Sequence, residues 1–485
     1  MKSEPMAHQL EWRAFVDAHD PAFLANGCEQ GTGKTWMLLD EAERAFAAGA
    51  IDGLLVVAPK GVHTNWIRRE IPEHLSAPVR AEYYLSGASK RHAERIENLV
   101  SRPASEDLKV FAVNVDAFNT KNGRALVARF LRRHRTMMIV DESQRIKNPT
   151  AARTKHVHAL GDLAARRRIA SGTIVADKPL DVWGQYEFLR GGLLGTRSYR
   201  AFVAEFAELL PESSPLVQEA ARNARRGTPQ IIRRDPRGRP VYRNLERLRG
   251  LLAPHTFRRA KAECLDLPEK VYTTHYYDLG PKLRRQYNAL AENARWERDN
   301  GQLDLFNALT LIGKLRQAAA GFLMVDGEAE DLVDDNPRIR ALFEILEDVE
   351  GQSVVWASHR AEIRTIAAEL ERREIPFVEY HGGVTSETER QSAVDAFQRG
   401  EAAVFLANPQ AAGVGLTLTA AETVVYYSCD FSLDARVQSE DRTHRIGTTG
   451  TVRYVDVAAV DTVDERVAAA LQSKRETAAE VMDGL

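Results

Sequence analysis

A run near the start of the chain, Gly27-Cys28-Glu29-Gln30-Gly31-Thr32-Gly33-Lys34-Thr35, sets closely spaced glycines before a lysine and a hydroxyl. Glycines let backbone amides turn inward around phosphate oxygens, and a helix starting there adds the partial positive charge of its N-terminus. In this pattern Gly31, Thr32 and Gly33 form the cradle, Lys34 reaches the β and γ phosphates of a nucleotide, and the Thr35 hydroxyl is a ligand for Mg2+. The strict spacing asks for glycine where Cys28 stands, whereas the core from Gly31 to Thr35 fits a common variant. A second constellation lies about a hundred residues on. Met137-Met138-Ile139-Val140 is an apolar run that ends in Asp141 and Glu142. A carboxylate at the C-terminal end of a buried strand sits beside a phosphate loop in a parallel sheet. Asp141 is then placed to hold Mg2+ through water, and Glu142 to polarise an attacking water.

These groups need a scaffold that brings strand ends together. Short apolar runs alternate with helical stretches, the pattern of parallel α/β units. In the first half the spacing predicts strands at Phe23–Asn26, Leu54–Pro59, Val110–Val115, Met137–Asp141 and Arg168–Ser171. In the second half it predicts Ser353–Ser358, Phe377–Tyr380, Ala403–Ala407, Thr423–Tyr427 and Tyr454–Val457. All are short, branched or aromatic, and bounded by turn residues. Between the two sets, residues 191 to about 265 read as helices broken by an Arg/Pro/Gly loop from Gly227 to Pro240. Residues 281–320 read as helical, with Leu305, Leu309, Leu311 and Leu315 near helical spacing, and a final helix Val463–Met482 is opened by Thr462.

Composition narrows the class. The chain has 485 residues, is 44% hydrophobic and 28% charged, and carries a net charge of −2, which is ordinary globular usage. Its N-terminus, MKSEPMAHQLEWRAF, lacks the apolar core of a secretory signal, and a cytoplasmic protein without a membrane partner is expected. Cys28, Cys264 and Cys429 have no metal-ligand spacing. Between Arg222 and Arg249 stand ten arginines against Asp235 and Glu246, so a nearly neutral whole holds a local basic segment. Arg225, Arg226, Arg233 and Arg234 are its candidate phosphate contacts, and a solvated, mobile loop is the alternative reading.

Taken in order, the motifs resemble those of superfamily 2 in its Snf2 form. Asp141-Glu142-Ser143-Gln144-Arg145-Ile146-Lys147-Asn148 is similar to a DEAH-type box, with Gln144 in the histidine position. Gln438-Ser439-Glu440-Asp441-Arg442-Thr443-His444-Arg445-Ile446-Gly447 resembles motif VI, the most specific of the signals. His8-Gln9-Leu10, Ala58-Pro59 with Trp66, Ser171-Gly172-Thr173 and the run Ala412 to Leu418 resemble the Q motif and motifs Ia, III and V. Motif III carries Ile174 where proline is common, and the motif IV strand ends Trp356-Ala357-Ser358-His359.

The resemblance implies an α/β fold of two RecA-like parallel-sheet lobes with helical insertions between and within them. It divides the chain into lobe one at 1–190, a helical and basic linker at 191–265, and lobe two at 266–485. Lobe two then includes a helical protrusion at about 281–325 and a brace helix at about 461–485. The implied activity is ATP hydrolysis between the lobes, driving a monomer along double-stranded or branched DNA and displacing bound proteins. ATP and Mg2+ are the implied cofactors. Gln9, Gly415 and Gln438 join the nucleotide site, and Arg442 and Arg445 supply guanidinium groups to the γ-phosphoryl beside Lys34 and Glu142. Pro59, Lys60, Ser358 and His359 grip nucleic-acid backbone. A strand-separating helicase, a non-catalytic scaffold and a DNA-bound nucleotide sensor are the alternatives, against which intact Lys34, Asp141, Glu142 and Arg445 favour a motor.

Lys34→Ala and Arg445→Ala are each expected to abolish ATP turnover in a phosphate-release assay, with circular dichroism and thermal unfolding unchanged. Retained turnover in either variant contradicts the roles assigned to these two residues.

Overall fold

The computed structural model describes the chain except residues 20–21, 102–105, 223–227, 300–304, 385, 410–415, 430 and 484–485, and except the side chains of 293–299, 305–309 and 387. Gly415, Arg225 and Arg226 therefore lie outside the described residues, as do the side chains of Leu305 and Leu309 and most of the motif V run. The chain divides into two compact units, Met1–Leu265 with Lys474–Leu485, and Asp266–Ser473.

The first unit is built on a seven-stranded sheet: β1 Phe23–Asn26, β2 Gly53–Ala58, β3 Val79–Tyr83, β4 Leu108–Asn114, β5 Thr136–Asp141, β6 Arg166–Ala170 and β7 Thr256–Phe257. Their order is β3-β4-β2-β5-β6-β1-β7, and every pairing is parallel. Central strands are buried on both faces, which is why β2 and β5 read as unbroken apolar runs rather than alternating ones. Helices cover each face and form two cores, one around Trp12, Leu38, Val56 and Ile139, the other around Phe111, Val140, Tyr186 and Phe206.

The second unit holds a six-stranded parallel sheet. Its strands are β8 Lys270–Tyr277, β11 Gln352–Trp356, β12 Phe377–Tyr380, β13 Val404–Ala407, β14 Ala421–Tyr426 and β15 Val452–Ala459, in the order β12-β13-β11-β14-β15-β8. Before β11 come helices Gly280–Asp299 and Leu305–Ala319 and an antiparallel hairpin of β9 Phe322–Val325 and β10 Glu328–Asp331. The two parallel-sheet units with helical additions are the expected fold class, and all ten expected strands are present. Five strands escaped the sequence reading: β3 and β8 are edge strands with mostly polar or exposed residues, β7 has only two residues, and the two strands of the β9–β10 hairpin are largely exposed.

The boundaries differ from those read in the sequence. Residues 191–265 are not a separate linker: Phe202, Phe206, Leu245, Leu248 and Leu252 are buried in the same core as Phe188 and Leu189. The end of the chain is not wholly in lobe two either. Val481 and Met482 join that same first-unit core, Lys474 donates to Asp177 at 2.8 Å, and Arg258 donates to the Met482 carbonyl at 3.0 Å. Burial of a few large side chains outweighs the change in composition that suggested a break. Thr462 does open the last helix, accepting the Asp464 N–H at 3.2 Å. Among the described residues no helix is long and apolar enough to cross a membrane.

Phe206→Ala removes a fully buried ring from the first-unit core. It is expected to destabilise that unit by about 3–5 kcal/mol, read by urea unfolding. A loss below about 1 kcal/mol, within the range of ordinary surface changes, shows residues 191–265 to be peripheral.

Candidate nucleotide site

Sheet register does the first work of assembly. Asn26 lies level with Ala170, and Ala170 lies level with Asp141. Three neighbouring strands, β1, β6 and β5, therefore end together, and ligands of open parallel sheets collect at such carboxyl edges. From these ends run the loop Gly27–Gly33, the segment Ser171-Gly172-Thr173 and the pair Asp141-Glu142.

The loop turns because two glycines permit it. Gly31 has φ 81° and Gly33 φ 80°, the left-handed region that side chains disfavour. Gly33 precedes the helix Lys34–Ala47, and a Cβ there would lie 2.4 Å from Gln9 Nε2. The close approach places Gln9 against the loop, and the Met6 N–H donates to its Oε1 at 2.9 Å. His8 Nε2 meets the Thr32 carbonyl at 2.7 Å, so the first helix ties down both ends of this contact. Lys34 donates its ammonium to the Glu29 carbonyl at 2.9 Å, and the Thr32 hydroxyl donates to the same oxygen at 2.8 Å. Thr35 is the second residue of the helix and half-buried. Cys28 is fully buried and burial pushes its thiol up to about 12, so it serves as packing where a glycine was expected.

A strap holds the loop from behind. The Gly27 N–H donates to the Phe257 carbonyl at 2.8 Å and the Glu29 N–H to the Arg259 carbonyl at 3.0 Å. The Glu29 carboxylate in turn accepts the Lys261 N–H at 2.9 Å. No periodic pattern marks a two-residue strand as the support of a phosphate loop.

At the end of β5, Asp141 accepts the Trp66 indole N–H at 3.0 Å through Oδ2 and the Glu142 N–H at 3.0 Å through Oδ1. Burial pushes its carboxyl above the ordinary value, opposed by Trp66, the Lys34 ammonium and the Glu142 amide. Glu142 has φ 49°, a strained conformation for a residue with a Cβ. That turn swings its carboxylate to Gln144, whose Nε2 donates to Oε2 at 2.8 Å. Gln144 Oε1 accepts the Ser171 hydroxyl at 2.7 Å, and Ser171 Oγ accepts the Thr173 N–H at 2.9 Å. The residue that departs from the DEAH pattern thus joins Glu142 to motif III through an amide.

The donor set fits a magnesium nucleotide. It offers a glycine-walled turn, a lysine at its helix end, a hydroxyl, and one carboxylate whose charge costs energy until a cation arrives. Gln30, inside the loop, is buried with no hydrogen-bond partner for Nε2 or Oε1 among the described residues. Such a buried carboxamide is unfavourable by about 1–3 kcal/mol until it meets a polar group.

The second unit gathers its own set. Helix Leu433–Thr443 carries Gln438, bonded to Asp434 at 3.0 Å, and Arg442 in its last turn. Arg442 is buried, and its carbonyl accepts the Leu418 N–H at 2.8 Å. Arg445 lies beyond the helix and donates to Thr417 Oγ1 at 3.2 Å and the Leu416 carbonyl at 3.3 Å. The pair is therefore not a solvated helix face: one guanidinium is buried and the other is aimed along the loop leaving motif V.

The expected backbone-gripping residues are unlike one another. Lys60 is exposed, but Pro59 is buried. Ser358 bonds Ser428, and His359 pairs with Glu362 at 3.4 Å. In the basic segment Arg233 pairs with Glu208 at 2.6 Å, Arg239 with Asp235 at 2.8 Å and Arg247 with Glu205 at 2.6 Å. Arg234 donates to the Gly238 carbonyl at 2.6 Å and Arg237 is exposed. Acids at 205 and 208, outside the arginine run, neutralise part of it.

Gln144→Ala cuts the link between Glu142 and Ser171. Turnover is expected to fall by on the order of ten-fold, the worth of a hydrogen bond to a charged group, with KM for ATP unchanged. An unchanged kcat removes Gln144 from the chemistry.

The sequence also matches known families. The model of the SNF2-related domain matches residues 22–320, and that of the helicase conserved C-terminal domain matches residues 337–447. An uncharacterised ATP-dependent helicase of Mycoplasma genitalium is 24% identical over 96% of this chain and 41% of its own length. A chromodomain-helicase-DNA-binding protein 1-like of Danio rerio is 25% identical over 92% of this chain and 41% of its own length. The chain thus spans about two-fifths of the length of these curated relatives. A solved SWI2/SNF2 ATPase core of Sulfolobus solfataricus, in complex with double-stranded DNA, aligns over 99% of this chain and 93% of that one, with 21% identity and a TM-score of 0.41. The chain belongs to the SNF2-related family.

Proposed function

We propose that this chain is an ATP-driven translocase that moves on double-stranded DNA without reading its sequence. The observation that carries the reading is the meeting of Lys34, Thr35, Asp141 and Glu142 at one sheet edge, with Gln144 bonding Glu142 to Ser171. Relatives named as an ATP-dependent helicase and for DNA binding support a DNA partner.

In this reading the Thr35 hydroxyl and the Asp141 carboxylate would hold Mg2+, which would supply positive charge against the negative charge of the triphosphate. The Lys34 ammonium exchanges the Glu29 carbonyl for the same oxygens. Gly31, Thr32 and Gly33 amides wrap the β phosphate, and Gln9 reads the adenine. Glu142 takes a proton from water as the water oxygen bonds to the γ-phosphorus. The bond from that phosphorus to the bridging oxygen breaks, leaving ADP and phosphate. Arg442 and Arg445 meet the charge that gathers on the γ-phosphoryl oxygens, a contribution on the order of 10³-fold. These arginines stand on a different unit from Lys34. Hydrolysis then waits on a conformational step, and ATP biases that step by its differential contacts.

DNA held by both units is gripped alternately. Lys60 in the first unit and Ser358 and His359 in the second are the assigned backbone contacts. Arg234 and Arg237 of the basic segment add phosphate contacts whose contribution falls as salt rises.

Duplex DNA is expected to raise ATP turnover several-fold. Equal turnover with no nucleic acid present sinks the motor reading. On matched substrates the protein is expected to displace a triplex-forming strand and to leave a plain duplex paired. The opposite pair of results makes it a strand-separating helicase.

A further inference from the structure

Trp66 stands outside the chemistry so far assigned, yet it is 1% exposed and its one polar atom is spent on the metal-site carboxylate. The indole N–H donates to Asp141 Oδ2 at 3.0 Å while the Glu142 N–H occupies Oδ1 at 3.0 Å. A carboxylate fixed at both oxygens cannot rotate about its last bond. Its remaining lone pairs are then aimed in set directions, and second partners of this kind orient metal ligands and tune their affinity.

What carries Trp66 leads to the expected DNA contact. β2 lies beside β5, with Val57 level with Val140, so the end of β2 is adjacent to Asp141. The chain leaves β2 through Pro59 and exposed Lys60, and turns at Gly61 with φ 90°. It then enters one continuous helical element of changing register: Val62–Asn65, a π-helical turn Trp66–Glu70, and Ile71–His74. The turn is anchored to the contact segment, since the His63 N–H donates to the Pro59 carbonyl at 3.2 Å and the Asn65 N–H to the Gly61 carbonyl at 3.1 Å. His63 Nε2 also meets the Tyr84 carbonyl at 3.0 Å, pinning the first turn to the sheet. Trp66 opens the π turn, a geometry that is uncommon and concentrated at functional sites. A shift at Pro59–Lys60 therefore reaches the indole through two hydrogen-bonded turns.

We infer that Trp66 is a positioning residue that aims Asp141 at Mg2+ and passes the state of the Pro59–Lys60 segment to it. The inference rests on the nucleotide and DNA reading proposed above. It gives duplex stimulation a physical route: backbone phosphate at Lys60 moves the helical element, the indole N–H follows, and Asp141 settles in its metal-binding orientation.

The test is binding rather than turnover. A fluorescent ADP analogue is titrated onto the full chain at rising Mg2+, with and without duplex DNA. Trp66→Phe removes the N–H, and benzothienylalanine at position 66 removes it with the ring volume kept. Loss of a hydrogen bond to a charged group is expected to raise the Mg2+ midpoint about ten-fold, with nucleotide affinity at saturating Mg2+ unchanged. In the wild-type chain duplex DNA lowers that midpoint, and in both variants this shift disappears. An unchanged midpoint in the benzothienylalanine protein overturns the inference, as does a duplex shift that survives there. Weaker nucleotide binding by the same factor at every Mg2+ concentration gives Trp66 a packing role only and overturns it too. If the wild-type chain binds the analogue with no dependence on Mg2+, the underlying nucleotide reading fails instead.

Discussion

Parallel pairing of β1, β6 and β5 is the constraint on which the candidate site depends. Because Asn26, Ala170 and Asp141 share one level, the phosphate loop, motif III and the two acids begin their turns side by side. A one-residue slip in either ladder would reverse the facing of every side chain beyond it. Buried apolar residues on both faces of β5 and the three buried residues of β1 fix the register against such a slip.

Around that edge each functional group has a second partner. Lys34 rests on the loop carbonyl it helped to shape, Glu142 is held by Gln144, and Asp141 by Trp66. The loop itself is backed by the strap from Phe257 to Lys261, four residues before the boundary of the first unit at Leu265. A histidine in place of Gln144 would change charge near neutral pH. The Gln144 amide gives a donor to Glu142 and an acceptor to Ser171 and has no ionisable proton of its own.

Much of this was legible in the residues. Gly31 and Gly33 announce a turn that only glycine adopts readily, and the apolar run before Asp141 announces a buried parallel strand. Side chains that act through space rather than through spacing were harder to read. Trp66 fitted a motif, but its bond to Asp141 joins residues 75 positions apart. The strap was hidden because β7 is two residues long and gains its role from carbonyls, which every residue has. The basic run between Arg222 and Arg249 looked more available than it is, since Glu205 and Glu208, which neutralise Arg247 and Arg233, lie outside it. The domain boundaries missed for a related reason. Composition changes at residue 191, but the core does not end there.

The central claim is that the first unit pins a magnesium nucleotide between the loop at Gly31–Thr35 and the carboxylate of Asp141. A crystal structure of the chain with Mg2+ and ADP–beryllium fluoride tests it most directly. The account predicts loop amides around the β phosphate, the Lys34 ammonium moved from the Glu29 carbonyl to the phosphates, and the metal between Thr35 Oγ1 and Asp141. Nucleotide bound elsewhere, or a metal with neither residue near it, contradicts the account.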